Sequence, residues 1–555
     1  MTRIITGAAA RVAGDIGARR PAAHSLMDRF SQLSTLAGKY ATPGRTFAVC
    51  AAVYLLCCAL SFFVVRPATL LYFTDYWEHR AILNEVARHG LRLADPIYGE
   101  AASSRQYTPW SLVLGYLVRL GYLDTDMAMA CGAMIVSMLF VVGVRRFASV
   151  FYAHRWAPAL MLVVLTCAWG IWPLIWTGFY AFRSQLHGNY YPAALVFALT
   201  FSAWASALRL LRPSKTIVLD AVLLWGVVAC SVITHPLNAA FLIAGAAGFA
   251  VLEPGIALSR RACVLLVIVA GIAVTIFWPY FNPLSLAAAG FARGQATFNN
   301  FQFFYNPLFV IGLIGSALFA LPALPGLRHD RRMRLPLLAL GLTSVAYVIG
   351  GIADVSVSHR LLAYVVLMLH LLLVRAVLDV LDGHPPRLMD RLTARSWRGL
   401  GVVGALFVVW QTALALQQLT NPWANTHYPY PIHQVEAETG RVVASLPPDA
   451  RILGWDSAAL VMPSHGVLVA SFPRPMPLSP TDSARQADYR RFFSPGAAKC
   501  ERLAIARRWG ATHIAYLHNE LDERVQRELA GFGAITSPAM PWVLISVPAG
   551  PATSC

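Results

Sequence analysis

The chain has 555 residues, of which 57% are hydrophobic and 13% are charged, and its mean hydropathy is +0.56. This composition excludes a soluble globular protein of that size and indicates a polytopic membrane protein. The net charge of +18 does not require a nucleic-acid partner, because the basic residues of membrane proteins collect in cytoplasmic loops.

The first 45 residues are rich in Ala, Arg and Gly and predict a basic cytoplasmic tail without a stable fold. The apolar run that follows, at 46–66, has no small-residue cleavage signature and is interpreted as an uncleaved signal anchor. The N-terminus is therefore expected on the cytoplasmic side.

A transmembrane domain is predicted over 46–420, because about eleven apolar stretches approach the roughly 20 residues that a membrane span needs. They lie at 46–66, 125–144, 157–177, 191–211, 216–234, 237–252, 262–280, 307–324, 335–352, 359–379 and 399–418. The stretch 237–252 is short, and 108–122 could form a re-entrant or interfacial helix. Every predicted inner loop is basic, which orients the chain. Eleven crossings place the region after 420 on the outer side of the inner (cytoplasmic) membrane.

The first outer loop, at 67–124, is the longest loop between spans. Its stretch "TDYWEHRAILNEVARHGLRL" has Ile82, Leu83, Val86 and Leu91 near helical spacing, which predicts a helix lying along the membrane interface.

Three ionisable residues, Asp75, Glu78 and His79, begin this predicted helix at spacings that put them on one face. One interpretation is a capping box, with Asp75 as N-cap and Glu78 at the third helical position. The other is a reaction centre, and the two roles are compatible.

The other outer loops carry polar side chains close to membrane depth, where ionisable groups are costly and often functional. These residues are Arg183, His187 and Asn189 in "FRSQLHGNYYP", His235 in "ITHPLN", Arg293 in "FARGQATFNNFQFFYNP", and His359 and Arg360 in "DVSVSHRLLAY". Each one alone could be a snorkelling or hydrogen-bonded structural group. Their collection on one side of the membrane favours a functional site.

The segment 421–555 changes character, since helical stretches alternate with the short apolar runs "RILGWD", "GVLVASF", "THIAYLH" and "WVLISVP". This alternation predicts a three-layer α/β domain on the outer face. Cys500 and Cys555 both fall in it, so a disulfide between them could form.

This arrangement resembles the GT-C superfamily of integral-membrane glycosyltransferases. The resemblance rests on Asp75 soon after the first span, on the loop "ADPIYGEAASSRQYTPWSLVLG", and on the outer C-terminal domain. Within the superfamily the chain looks most like bacterial enzymes that use polyprenyl-phosphate sugars, such as arabinofuranosyl- and mannosyltransferases. The acidic pair of the superfamily is altered here, because Tyr76 follows Asp75 and the nearest second acid is Glu78.

The resemblance implies transfer of a sugar from a polyprenyl phosphate to a glycan, lipid or protein acceptor, with inversion. A carboxylate must take the proton of the acceptor hydroxyl, and Asp75 is the first candidate and Glu78 the second. The leaving phosphate needs cationic partners. The candidates for that role are Arg360 with His359, then Arg183 and Arg293.

The predicted substrate contacts are His187, Asn189, His235, Arg105 and Tyr107. No cofactor is required by this chemistry, although Asp75, Glu78 and His79 could together bind a divalent cation. Two other functions stay open at this point. One is a transporter or flippase, and the other is an envelope-assembly protein that handles polysaccharide or lipid.

Overall fold

The computed structural model describes residues 42–66, 75–100, 104–171, 179–213, 215–289, 305–353, 355, 358–384, 394–420, 432–474, 476, 478–518, 520–532 and 541–548.

Eight described helical segments are long and apolar enough to cross a membrane. They are Pro43–Val65, Thr125–Phe151, Pro192–Leu210, Ile217–Thr234, Leu258–Phe277, Pro307–Leu327, Arg331–Ile352 and Ser358–Leu381. Three shorter apolar helices are Ala157–Cys167, Pro236–Leu252 and Val403–Gln417. Each predicted span overlaps one of these segments, which confirms a multi-pass helical membrane protein. The number of actual crossings stays a prediction.

The α-helices of the membrane part are numbered in chain order. They are α1 (Pro43–Ala59), α2 (Tyr76–His89), α3 (Pro109–Arg119), α4 (Thr125–Phe151), α5 (Ala157–Cys167), α6 (Phe182–Gly188), α7 (Pro192–Leu210), α8 (Ile217–Thr234), α9 (Pro236–Leu252), α10 (Leu258–Val274), α11 (Pro283–Ala289), α12 (Pro307–Ile314), α13 (Leu324–Leu327), α14 (Arg334–Ile352), α15 (Leu361–Leu381) and α16 (Ala394–Thr420). A π-helix at Leu60–Val65 continues α1, and a 3-10 helix at Gly315–Ala323 joins α12 to α13.

Helices α7 and α15 lie in the centre of the membrane part, and α10 and α14 lie at its edge. In the most apolar stretch of α7, 83% of the residues are buried, and in that of α15 the share is 78%. The corresponding shares are 22% for the segment of α10 and 11% for that of α14. Aromatic side chains fill the space between α4, α7 and α9, where Phe147 contacts Trp204 and Phe249. The exposed apolar faces of α10 and α14 are those expected to meet lipid.

The helix α2 begins where the sequence predicts it, and its apolar side chains pack on protein. Ile82 and Val86 are buried in one apolar cluster with Tyr107, and Leu83 belongs to the main core, while Leu91 is exposed. Protein therefore covers most of the apolar face of α2, and the position of this helix along the membrane interface stays a prediction.

The predicted capping box is wrong. Asp75 precedes α2 with helical backbone angles (φ −64°, ψ −4°), and its side chain makes no capping hydrogen bond. A capping side chain needs an extended backbone to reach the free N–H groups of the first turn.

The C-terminal part contains the four predicted strands in one sheet. They are β1 (Arg451–Gly454), β2 (Leu468–Val469), β3 (His513–Leu517) and β4 (Trp542–Ser546), in the order β2-β1-β3-β4. Strands β1, β2 and β3 are parallel, with Leu453 opposite Ile514, and β4 runs antiparallel to β3. The helices are α17 (Ile432–Ser445), α18 (Asp456–Val461), α19 (Asp482–Phe492), α20 (Lys499–Arg508) and α21 (Glu523–Ala530).

Residues of the sheet alternate between two cores, as the period of a strand requires. Ile452 and Ala515 share a core with Val435 of α17 and Val461 of α18. Their neighbours Leu453 and Ile514, with others of the sheet, share a second core with α19, α20 and α21. The predicted three-layer α/β domain is therefore confirmed. Cys555 lies outside the described residues, so the disulfide stays a prediction.

Candidate functional site

Residues from four separate parts of the chain are close enough to interact electrostatically. Arg105 interacts electrostatically with His79 of α2 and with His235, which joins α8 to α9. Arg360, directly before α15, interacts with both Arg105 and His235. We call this group, together with Glu78, the outer cluster.

Glu78 is the buried carboxylate of the outer cluster, with 1% of the residue exposed. Its Oε1 accepts a hydrogen bond of 3.1 Å from Nε2 of Gln106, and its Oε2 has no hydrogen-bond partner among the described residues. The buried Nε of Arg105 also lacks a partner in that part of the chain. Unsatisfied buried polar atoms are costly. A carboxylate oxygen and a guanidinium N–H left open in one cluster therefore indicate a place for a polar ligand.

His79 is buried beside Glu78, and its ring lies 5.7 Å from the ring of Tyr191, centroid to centroid. Burial, and secondarily the charge of Arg105, lowers the pKa of His79 to about 3. The imidazole is therefore neutral near pH 7. It can donate or accept a hydrogen bond but cannot neutralise a phosphate.

Asp75 directly precedes α2, three residues before Glu78, and 55% of its side chain is exposed. Its Oδ1 forms an ion pair with Nη1 of Arg474, a residue of the C-terminal domain. The three residues that sequence spacing puts on one face are therefore in different environments, since Asp75 is accessible while Glu78 and His79 are buried.

The start of α15 is tied to the start of α9 behind the outer cluster. Tyr364 donates a hydrogen bond of 2.7 Å to Oδ1 of Asn238, whose Nδ2 donates to the carbonyl of Ala193 at 3.1 Å. Nδ1 of His235 accepts from the backbone N–H of Asn238 at 3.3 Å. These bonds fix the positions of His235 and Arg360. His359 precedes Arg360 in the same 3-10 turn and is also buried.

Arg183, His187 and Asn189 lie together at the short helix α6. They are buried at α6, where Arg183 donates to the carbonyl of Gly170 at 3.0 Å. His187 Nδ1 lies 3.0 Å from the carbonyl of Arg183, and Asn189 donates to Oγ of Ser137 at 2.8 Å. These bonds favour a structural role, so their predicted substrate and phosphate contacts stay predictions. Arg293 lies outside the described residues.

Tyr107 is fully buried and holds the first outer loop in place. Its hydroxyl donates to the carbonyl of Ala94, and its own carbonyl accepts a hydrogen bond of 2.9 Å from Nε1 of Trp278. Its predicted contact with substrate stays a prediction.

Sequence reasoning missed Gln106, Tyr364 and Arg474. Gln106 lies between two predicted site residues, so proximity could have suggested it. Tyr364 ends the quoted stretch "DVSVSHRLLAY", four residues after Arg360, so proximity could have suggested it as well. Nothing in the sequence near Arg474 connects it to the outer loops.

The described residues contain no group of three or more His, Cys, Asp or Glu side chains that could hold a metal ion. Asp75 points to Arg474 and Glu78 to Gln106, so the two carboxylates do not form a shared ligand set. The predicted binding of a divalent cation by Asp75, Glu78 and His79 stays a prediction.

No protein-family model and no curated protein matches the chain significantly. Solved structures do match. The oligosaccharyltransferase AglB of Archaeoglobus fulgidus, in complex with an inhibitory peptide and a dolichol-phosphate, has a TM-score of 0.55 at 12% identity, over 87% of this chain and 70% of that chain. ArnT of Cupriavidus metallidurans in the apo state has a TM-score of 0.50 at 14% identity, over 90% of this chain and 97% of that chain.

At such low identity these likenesses establish the fold and leave the chemistry open. The two matching proteins share the helical membrane architecture, and each match spans most of this chain. The chain is therefore a multi-pass membrane protein that shares the fold of AglB and ArnT, the GT-C fold.

Proposed function

We propose that the protein is a glycosyltransferase that moves a sugar from a polyprenyl-phosphate donor to an acceptor at the outer face of the cytoplasmic membrane. The observation that carries this proposal is the outer cluster, where Glu78 Oε2 and Arg105 Nε are buried without partners in the described part of the chain. The fold supports it, because AglB is an oligosaccharyltransferase and its structure holds a dolichol-phosphate.

Arg105 and Arg360 are the proposed partners of the donor phosphate. Both are linked electrostatically to His235, so two guanidinium groups face one region. Such groups form charge-assisted hydrogen bonds with phosphate oxygens. As the sugar leaves, charge accumulates on the phosphate, and buried cations stabilise it more strongly than water-exposed ones.

Asp75 is the proposed general base. An acceptor that arrives from outside must be able to reach the base, and Asp75 is more exposed than Glu78. The acceptor oxygen attacks the anomeric carbon while its proton passes to Asp75. The bond between that carbon and the phosphate oxygen breaks, and the free polyprenyl phosphate leaves. One such displacement inverts the anomeric centre.

Glu78 is too buried to meet an incoming acceptor, so its proposed role is to orient the donor. Its open Oε2 accepts a hydrogen bond from a hydroxyl of the donor sugar. A site built to satisfy a substrate hydroxyl discriminates against analogues that lack the hydroxyl.

The proposed topology follows the charge pattern of the loops. The N-terminal tail is cytoplasmic, 46–420 form the membrane domain and 421–555 lie on the outer face of the inner membrane. The outer cluster then faces the compartment in which a lipid-linked sugar is the available donor.

To test this proposal, polyprenyl-phosphate mannose or polyprenyl-phosphate arabinofuranose is added to membranes that contain the protein. We expect sugar transfer and release of polyprenyl phosphate from at least one donor. Asp75→Asn should lower kcat about 100-fold or more, because a general base contributes on that scale. Movement of either lipid across the bilayer without cleavage would instead indicate a flippase.

Arg360→Lys should raise the KM for the donor, because an ammonium group cannot form the paired hydrogen bonds of a guanidinium. Arg375→Lys is the matched control, since Arg375 lies on the same helix and pairs with Asp330 and Asp379, away from the outer cluster. An unchanged donor KM in Arg360→Lys would remove Arg360 from the phosphate site.

A further inference from the structure

We infer that Arg474 of the C-terminal domain is a positioning residue for Asp75, so that the α/β domain completes the active site. The inference rests on the proposed function. Its starting observation is the ion pair between Nη1 of Arg474 and Oδ1 of Asp75. Only 11% of the Arg474 side chain is exposed, against 55% for Asp75, so the cation is the buried and fixed member of the pair.

The backbone around Arg474 is held against the helix that Asp75 precedes. Nε2 of Gln486 donates to the carbonyl of Arg474 at 3.1 Å and also to the carbonyl of Phe472. Phe472 is buried in one cluster with Ala81 of α2 and with Tyr98. The two partners of the ion pair are therefore attached to elements that pack directly on each other, which lowers the entropic cost of holding the pair.

Two further contacts fix the position of α2 against the C-terminal domain. Asn84 donates a hydrogen bond of 2.7 Å to the carbonyl of Ser464, and Arg80 forms an ion pair with Glu436. The N–H of Val469 in β2 donates to the carbonyl of Ile97 at 2.8 Å. Arg474 thus approaches Asp75 from a surface that is anchored at several points.

The pair with the buried Arg474 holds the Asp75 carboxylate more firmly than a pair with an exposed arginine would. Burial lowers the pKa of Arg474 to about 10, so the guanidinium remains charged near pH 7 and gains from an anionic partner. The ion pair holds the carboxylate of Asp75 in one orientation, and a general base must be oriented toward the proton that it takes. The contact also engages Oδ1 and leaves Oδ2 to the acceptor hydroxyl.

The test compares Arg474→Ala and Arg474→Lys in the full chain, using polyprenyl-phosphate mannose and polyprenyl-phosphate arabinofuranose as donors. Arg491→Ala is the matched control, because Arg491 pairs with Glu501 at the surface of the same domain. We expect Arg474→Ala to lower kcat about 10- to 100-fold with the donor KM unchanged, since small misplacements of a reacting group cost that much. The lysine variant should restore part of the rate.

A second readout is independent of turnover. Carbodiimide labelling of Asp75, measured by mass spectrometry, should increase several-fold in Arg474→Ala and not in Arg491→Ala. Unchanged labelling, or turnover of Arg474→Ala at or above that of the unmodified chain, would overturn the inference. If Asp75→Asn is inactive and Arg474→Ala is fully active, only the role of Arg474 is overturned. If the unmodified chain transfers no sugar, the result counts against the proposed function.

Discussion

Glu78 is a buried carboxylate, and within the described part of the chain only its Oε1 has a hydrogen-bond partner, which is Gln106. A structural carboxylate at this depth normally has all its oxygens bound, because each unsatisfied atom costs free energy of folding. Functional sites keep such atoms open for a ligand and accept the cost.

Glu78→Gln should therefore lose activity without losing stability. The amide oxygen can still accept from Gln106, but the charge and one acceptor are lost, so we expect turnover to fall about 10- to 100-fold. The melting temperature should stay within about 2 °C of the parent value. Glu85→Gln, on the same helix, is the control, because Glu85 pairs with His89 away from the outer cluster. A stable, fully active Glu78→Gln would exclude the orienting role.

Glu520 of the C-terminal domain is a residue whose charge should affect stability. Burial is the main cause that raises the pKa of Glu520 to about 7, although its Oε1 accepts a hydrogen bond of 2.6 Å from Ser457. The folded chain therefore binds this proton more tightly than the unfolded chain does. Stability is lost as the pH rises from about 4.5 to about 7, and no further loss from this group follows above that range.

Glu520→Gln should remove this loss, because the amide is neutral at every pH. We expect the variant to unfold at a higher temperature than the parent chain at pH 8 and at nearly the same temperature at pH 5. Circular dichroism of the detergent-solubilised chain would measure both. Glu523→Gln is the control, and an equal difference at the two pH values would contradict the assignment.

At the scale of elements, the outer cluster depends on the close approach of α2 and α3. A Cβ atom added to Gly115 of α3 would lie 2.5 Å from Cβ of Val86 and 3.3 Å from the carbonyl oxygen of Leu83. Only glycine allows this spacing. The two helices flank the loop that carries Arg105 and Gln106, so their separation would displace one wall of the site.

Gly115→Ala should therefore lower both the melting temperature and the rate of sugar transfer. Overpacking of this kind costs about 1–3 kcal/mol. Gly226→Ala is a matched control in α8, where an added Cβ meets no atom within 4 Å. The control should be as stable as the parent chain or more stable, because alanine favours helices. Equal behaviour of the two variants would show that α2 and α3 can separate without cost.

At the scale of the whole molecule, the C-terminal domain is fixed to the first outer loop by Arg485. Its guanidinium carbon lies 4.4 Å from the ring centroid of Tyr98 and 4.3 Å from that of Trp509. The same group donates to Oε1 of Glu100 at 2.8 Å, and Tyr98 donates to Asp482 at 2.9 Å. A planar cation between two rings is an arrangement that lysine cannot reproduce.

Arg485→Lys should weaken this attachment by about 2 kcal/mol, the value of a desolvated cation–π contact. We expect faster hydrogen–deuterium exchange of the amides in 95–100 and in α2. Arg508→Lys, which alters a more exposed pair with Asp488, is the control. Unchanged exchange in α2 would mean that the remaining contacts are sufficient to hold the domain.

The helices and strands of this protein are predictable from local patterns in its sequence. The apolar stretches, the four strands and the Asp75–Glu78–His79 turn follow from composition and periodicity, which are local properties of the chain. The burial of α2 is different, because its apolar face could have met lipid or protein, and only packing against α3 and the C-terminal domain decides between them.

Tertiary structure alone decided which polar residues share a site. Arg105, His235 and Arg360 meet although they are far apart in the chain, while Arg183 and Asn189 bond within the core. It also placed Arg474 against Asp75. Electrostatic and hydrogen-bond partners depend on distances of a few ångströms, and those distances are set by how helices and domains pack, which no local pattern in the sequence encodes.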